Sequence, residues 1–272
     1  MCPRGAAMAK GRAWWVVVLA MLMPASAQAY ELKHTKDGQS VRWPSTQVSF
    51  VVDPTLEAAV PGAGMAVASA MASWSGAEGA PVLSYSVGTA PGVIAVDGVN
   101  SVVYAPEGYP PAGDALAVTL VSFSDETGEI IDTDIVINGI HGFAVLAAGA
   151  QASGPAIALD AQGSAGATDG PFDVEHVVSH ELGHALGLAD VDVEGDAAVM
   201  FAYTAPGDPS RRGPQADDLA GIQSLYGATS KAGCSLGAGA GGAGSTEGGA
   251  VCLGLMVAAA AMRRLKVRAG QP

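Results

Sequence analysis

Apolar and polar residues alternate over 47–53, with Val48, Phe50 and Val52 set against Gln47 and Ser49, and this period of two predicts a strand entered from Trp43 and Pro44. After the break at Pro61 and Gly62 the spacing becomes that of an alanine-rich helix over 65–74, followed by a short strand over 82–87. A turn-rich connection, 105–111, leads to two runs rich in Val, Ile and Thr, 116–123 and 129–138, which residues 124–128 join as a hairpin. Residues 144–169 are rich in small side chains and poorly periodic, so they are expected to wander over the surface. Periodicity returns with Val177, Val178, Leu182, Leu186 and Leu188, the buried face of a helix that Pro171 to Asp173 opens, with Asp173 or Asp169 as its cap.

A chain of 272 residues has room for one substantial domain with appendages. Arg4, Lys10 and Arg12 precede a mostly apolar run, 13–23, and then Pro24 and Ala27, Gln28 and Ala29; this order predicts a secretory leader over 1–29, cut after Ala29. The folded domain is expected over 30–227. Residues 228–249, dominated by Gly, Ala, Ser and Thr, read as a flexible linker. The remainder, 250–272, pairs an apolar stretch with Arg263, Arg264, Lys266 and Arg268; its 13 apolar residues make about 20 Å of helix against a hydrocarbon core of about 30 Å, short for a permanent anchor. Cys2 falls in the leader, and Cys234 and Cys252 lie beyond the domain, so no disulfide framework holds it.

Charge narrows the partners. Five Lys or Arg residues face 25 acids within 30–227, a formal net charge of −20, and a surface of that sign excludes nucleic acid. Clustered carboxylates suit calcium, a hard cation that takes oxygen ligands, and Asp132 and Asp134, on one face of the 129–138 strand with Asp125 in the adjoining turn, are the candidates; a solvated strand face explains them equally well.

The chemistry concentrates in Ser179 to Asp190. His180 and His184 lie one helical turn apart on the same face, so both imidazoles can reach one zinc ion while Glu181 stands beside them. Gly187 can adopt a left-handed conformation, end the helix and bring Asp190 back as third ligand, leaving the fourth position for water. Asp192 is a competing carboxylate two residues on. Glu181 is then the general base, accepting a proton from the attacking water. His176, one turn before His180, reads as a packed or rim histidine, because a further imidazole would occupy the water position.

The 180–190 stretch resembles the metzincin zinc peptidases in the form that ends in aspartate, and residues 214–227 are similar to the closing helix of the matrixin branch. Ala198 to Tyr203 resembles the methionine turn, which implies Met200 packed beneath the ligands and Tyr203 either on the wall of a specificity pocket or simply packed. Trp74 is similar to the tryptophan of the first matrixin helix, though burial alone accounts for it. The resemblance implies an α+β domain: a twisted mixed sheet, the active-site helix below it and a C-terminal helix after the methionine turn. It also implies that 116–121 is the edge strand along which an extended peptide substrate lies, an arrangement that backbone pairing at an open edge supports; an edge strand with no client is the alternative. The structural zinc of matrixins needs more histidines than His141, so it is expected to be missing. No cysteine stands between residues 3 and 231 to block the zinc, and the enzyme is expected to need no propeptide removal. The tail resembles C-terminal sorting signals of gliding Gram-negative bacteria, which implies a secreted, cell-surface or outer-envelope protein whose tail contacts the membrane or sorting machinery, with Cys234 as the processing or attachment residue. A monomer is expected.

Two functions follow. One is a zinc-dependent endopeptidase. The other is a zinc-binding surface or adhesion module of the same fold without turnover, and the presence of Glu181, which holding zinc does not require, favours the first. Arg211 and Arg212 form the one basic pair of the domain and read as a solvated loop.

Overall fold

The computed structural model describes residues 30–154, 156–159, 170–192 and 197–227, together with the backbone of 268–269. The expected leader, the linker, most of the tail with Cys234 and Cys252, and Asp169 lie outside the described residues.

Strand β2 (Gln47–Val52) buries every second residue, as its alternation predicts. It runs parallel to β3 (Val82–Val87) on one side and to β4 (Asn100–Ala105) on the other. β4 is parallel to β6 (Ile130–Asn138), and β6 pairs antiparallel with β5 (Ala117–Phe123), giving a mixed sheet in the order β5-β6-β4-β2-β3. The expected hairpin is thus present, with a register shift between Ser122 and Phe123. Its outer strand, β5, is met by the two-residue β12 (Arg268–Ala269) opposite Phe123 and Ser122 only. Among the described residues, 117–121 therefore have no strand on their outer side.

Two elements escape the periodicity. β4 begins with four buried residues in succession, and a strand covered on both faces carries no alternation to read. The short helix α1 (Pro54–Ala59) is specified at its start: the Asp53 carboxylate accepts the Thr55 amide hydrogen at 2.8 Å and Pro54 occupies the first turn. Helix α2 (Ala63–Ser75) appears where expected and packs Ala66, Val67, Ala70, Met71 and Trp74 inward, largely against α3 (Val174–Ala185) beneath the sheet. No described helix is long and apolar enough to cross a membrane.

The segment expected to wander is partly tied down. β7 (Phe143–Ala144) runs parallel to β9 (Phe172–Asp173), and β8 (Ile157–Ala158) pairs with β11 (Tyr203–Thr204). Between them Leu159 is fully buried; its amide donates to Ala202 O and its carbonyl accepts from Leu116 N and Ala117 N. Backbone pairing and one large apolar side chain fix this region, and neither leaves a period. The N-terminal arm is also structural: β1 (Glu31–Leu32) pairs with β10 (Leu188–Ala189), and Val41 and Trp43 enter the core.

Asp132 and Asp134 depart from the solvated face considered above: each is 2% exposed. The loop before β4 folds over them. Asp134 accepts the amides of Ala95 at 3.0 Å and Ser101 at 3.1 Å, and Asp132 accepts that of Gly98 at 2.8 Å. Asp125 is half-exposed in its turn, 3.9 Å from Lys36. These acids serve as acceptors for backbone amides of the loop and of β4, and among the described residues they belong to no converging group of three ligands.

Burial is the largest influence on Asp134, and despite the two amides, with Asp132 and Asp97 repelling its charge, its carboxyl is pushed up from 3.8 to about 6. A carboxyl raised in the folded state keeps a proton that the unfolded chain has released, so its contribution to stability is greatest below about pH 4 and is lost as pH rises through about 6. Denaturant unfolding across this window is expected to show stability falling with pH more steeply in the wild type than in Asp134→Asn; identical slopes would rule out the titration.

Candidate metal centre

Helix α3 is buried along almost its whole length and held at both ends by side chains. At its start Asp173 accepts the His176 amide at 3.1 Å, which settles the cap in favour of Asp173. At its end two carbonyls that the helix cannot satisfy find donors: Trp43 Nε1 reaches Ala185 O at 2.8 Å and the Tyr226 hydroxyl reaches Leu186 O at 2.7 Å. Gly187 then takes a φ of 99°, as its place after the helix suggested. A Cβ there would strike the Val41 carbonyl, so glycine is required by space as well as by φ. The turned chain enters β10 and delivers Asp190 to the two histidines.

His180 and His184 are buried, with ring centroids 4.7 Å apart and planes nearly perpendicular. Asp190 Oδ1 lies 3.2 Å from His180 Nε2 and 3.4 Å from His184 Nε2. Among the described residues these three form the one group of at least three potential ligands that converge. Asp192 is exposed and outside it.

Whether the donor set fits a cation can be judged from the far side of each ring. His180 Nδ1 is 2.9 Å from Val199 O and His184 Nδ1 is 3.0 Å from Leu188 O. A carbonyl oxygen only accepts, so each Nδ1 carries the proton and each Nε2 presents a lone pair inward. The buried Nε2 of His180 and Oδ1 of Asp190 have no hydrogen-bond partner, and both are acceptors. Two imidazole nitrogens and a carboxylate oxygen facing one another suit a divalent ion, and two nitrogens with one oxygen are a zinc set that keeps a position open.

Beneath the ligands Met200 is buried against Gly183, where any Cβ would meet its Sδ. This explains the glycine between the histidines, and it agrees with the expected place of Met200. Asp218, in α4 (Ala216–Tyr226), holds the turn in place by accepting the amides of Val199 at 2.8 Å, Met200 at 3.1 Å and Gln215 at 2.7 Å. The capping pattern of Gln215 and Asp218 is readable in the sequence; the reach to Val199 is not. Trp74 donates its indole N–H to Ser179 O at 2.8 Å and is fully buried, so packing accounts for it.

His176 is packed: it is fully buried, its Nδ1 is 3.3 Å from Thr204 Oγ1, and burial pushes it down to about 4, so the ring is neutral. Tyr203 is exposed and meets the Phe201 ring edge-on. His141 lies at Asp114 O, 2.9 Å away, and edge-on to Phe172.

Glu181 is fully buried beside the triad. Its Oε2 is 2.6 Å from the Thr119 hydroxyl of β5, a residue that strand patterning gave no reason to single out.

The solvated reading of Arg211 and Arg212 is overturned. Arg212 grips the buried Asp173 carboxylate with two nitrogens, at 2.6 and 2.7 Å, and donates to Leu146 O at 2.6 Å, so it fastens the 203–215 loop to the start of α3. Arg211 lies 4.9 Å over the Phe201 ring and 3.6 Å from Asp208. Basic side chains in a domain so rich in acids find carboxylates, and here the carboxylate is the helix cap.

The mixed sheet, the helix beneath it and the triad near a buried methionine turn form an α+β fold consistent with a metzincin-like catalytic domain. Comparison with known proteins is narrower: residues 121–227, which contain His180, Glu181, His184, Asp190, Met200 and Asp218, match the matrixin family model. No curated protein matches the chain. Among solved structures, high choriolytic enzyme 1, a hatching enzyme zinc-protease from the medaka fish Oryzias latipes, is 14% identical over 75% of this chain and 98% of that one, with a TM-score of 0.31.

Removing Arg212 would leave the Asp173 carboxylate buried beside only backbone donors. Arg212→Ala is expected to lower unfolding stability by about 3 kcal/mol in chemical denaturation; a loss below about 1 kcal/mol, the usual worth of a surface pair, would show that the contact holds nothing.

Proposed function

We propose that this protein is an exported zinc-dependent endopeptidase, with His180, His184 and Asp190 as metal ligands and Glu181 as general base and acid. The observation that carries the reading is Glu181 itself. A site that only holds a metal ion has no use for a further buried carboxylate next to its ligands, and burying one costs free energy that a function must justify. When bound, zinc would act as a Lewis acid on the scissile carbonyl and lower the pKa of a water in its open position.

The chain's own residues supply the rest. Glu181 takes the proton of the attacking water and passes it to the departing amine. His180 and His184 keep Nε2 unprotonated through their Nδ1 bonds to Val199 and Leu188. The open side of β5 over 118–121 offers backbone N–H and C=O groups to a peptide in extended form, which selects a chain rather than any particular side chain. Asp132 and Asp134 already accept three backbone amides, and zinc is the one metal in this reading. Export rests on the leader-like segment 1–29, and attachment at a bacterial surface would rest on the tail.

Hydrolysis of fluorescein-labelled casein by the zinc-loaded protein, compared with Glu181→Gln, tests the reading. The variant is expected to bind one zinc per chain and lose about 10²- to 10⁴-fold in rate. Equal activity in both, or none in either with zinc bound, would turn the reading toward a zinc-binding module.

A further inference from the structure

Thr119 stands on β5 opposite Ile135 of β6, with its side chain directed at α3. Its hydroxyl oxygen is 2.6 Å from Glu181 Oε2 and 3.1 Å from Glu181 O. Both neighbours are acceptors, and a hydroxyl has one proton to give. The distances decide where it goes: 2.6 Å is the length of an O–H donated to a carboxylate, whereas the carbonyl, already within the helix, is the weaker claimant. A strand residue thus donates to a carboxylate that belongs to a helix 62 positions away.

We propose that Thr119 is the positioning residue for Glu181, its hydroxyl committing Oε2 and so aiming the carboxylate at the water that attacks the peptide. This deepens the peptidase reading and rests on it. Glutamate has three rotatable side-chain bonds, and the cost of letting them turn is paid as misalignment: a displacement of about 1 Å in a reacting group can cost about 10²-fold in rate. The anchor also lies on the strand whose open edge would carry the substrate. Peptide register along 118–121 and the direction of the base would thereby be set by one rigid element, so that the carbonyl to be attacked and the group that activates water are placed together.

The test uses the zinc-loaded protein and a quenched fluorogenic peptide that it cleaves. Thr119→Val keeps the shape of the side chain and removes the donor. It is expected to lower kcat by about 10- to 100-fold with KM within about twofold of the wild type, to bind one zinc per chain, and to weaken acetohydroxamate binding in calorimetry by several-fold, because that probe presents its own proton to the base. Thr119→Ser restores the hydroxyl and is expected to recover kcat and acetohydroxamate affinity to within about threefold. Unchanged kcat in Thr119→Val, a fall explained by lost zinc, or no recovery in Thr119→Ser would overturn the proposal. Glu181→Gln separates the two readings: if it is inactive while Thr119→Val is fully active, only the positioning role fails; if it is fully active, the base role and the positioning role fail together.

Discussion

The hydrogen bonds from His180 Nδ1 to the Val199 carbonyl and from His184 Nδ1 to the Leu188 carbonyl set the chemical character of the site, because they decide which nitrogen of each ring is left to face inward. Were either proton on the other nitrogen, an N–H would point at the metal position and the ring could not ligate. Both carbonyls come from segments outside α3, so the donor set exists only when the chain beyond the helix has folded against it. Leu188 O is placed by the left-handed turn at Gly187, and Val199 O by Asp218, which holds the amides of the methionine turn from the closing helix.

From this follows the density of side-chain fastenings around one twelve-residue helix. Asp173 and Arg212 hold its start; Trp43 and Tyr226 satisfy carbonyls at its end; Trp74 ties its middle to α2; Thr119 reaches its glutamate from the sheet. Each contact joins a different stretch of sequence to α3, and each satisfies a polar group that burial would otherwise leave costly. The helix is the part of the molecule that can least tolerate displacement, since two of the three converging ligand residues and the proposed base are on it.

What the sequence disclosed depends on range. His180, Glu181, His184 and Gly187 are legible because the helical period places them relative to one another within two turns, and Asp190 follows once a left-handed turn is expected. The strands β2, β5 and β6 and the helix α2 follow from local periods as well. β4 was hidden because it is buried on both faces, and Leu159 because an isolated apolar residue among small ones has no period. Thr119, Arg212 and Asp218 were hidden for another reason: their partners lie 62, 39 and 19 residues away, and a threonine in a strand or an arginine in a loop looks the same whether or not a carboxylate or an amide waits across the fold. The acids of β6 show the same blindness in reverse. Their alternation suggested water or calcium, and the loop that covers them is what they serve.

The most direct measurement is zinc K-edge X-ray absorption on the purified protein after metal quantification. The geometry predicts one zinc per chain, a first shell of nitrogen and oxygen at about 2.0–2.2 Å, and outer-shell scattering from two imidazoles. Scattering from three imidazoles, which would bring in His176, or protein that holds no zinc at all, would contradict the inward-facing donor set on which everything else rests.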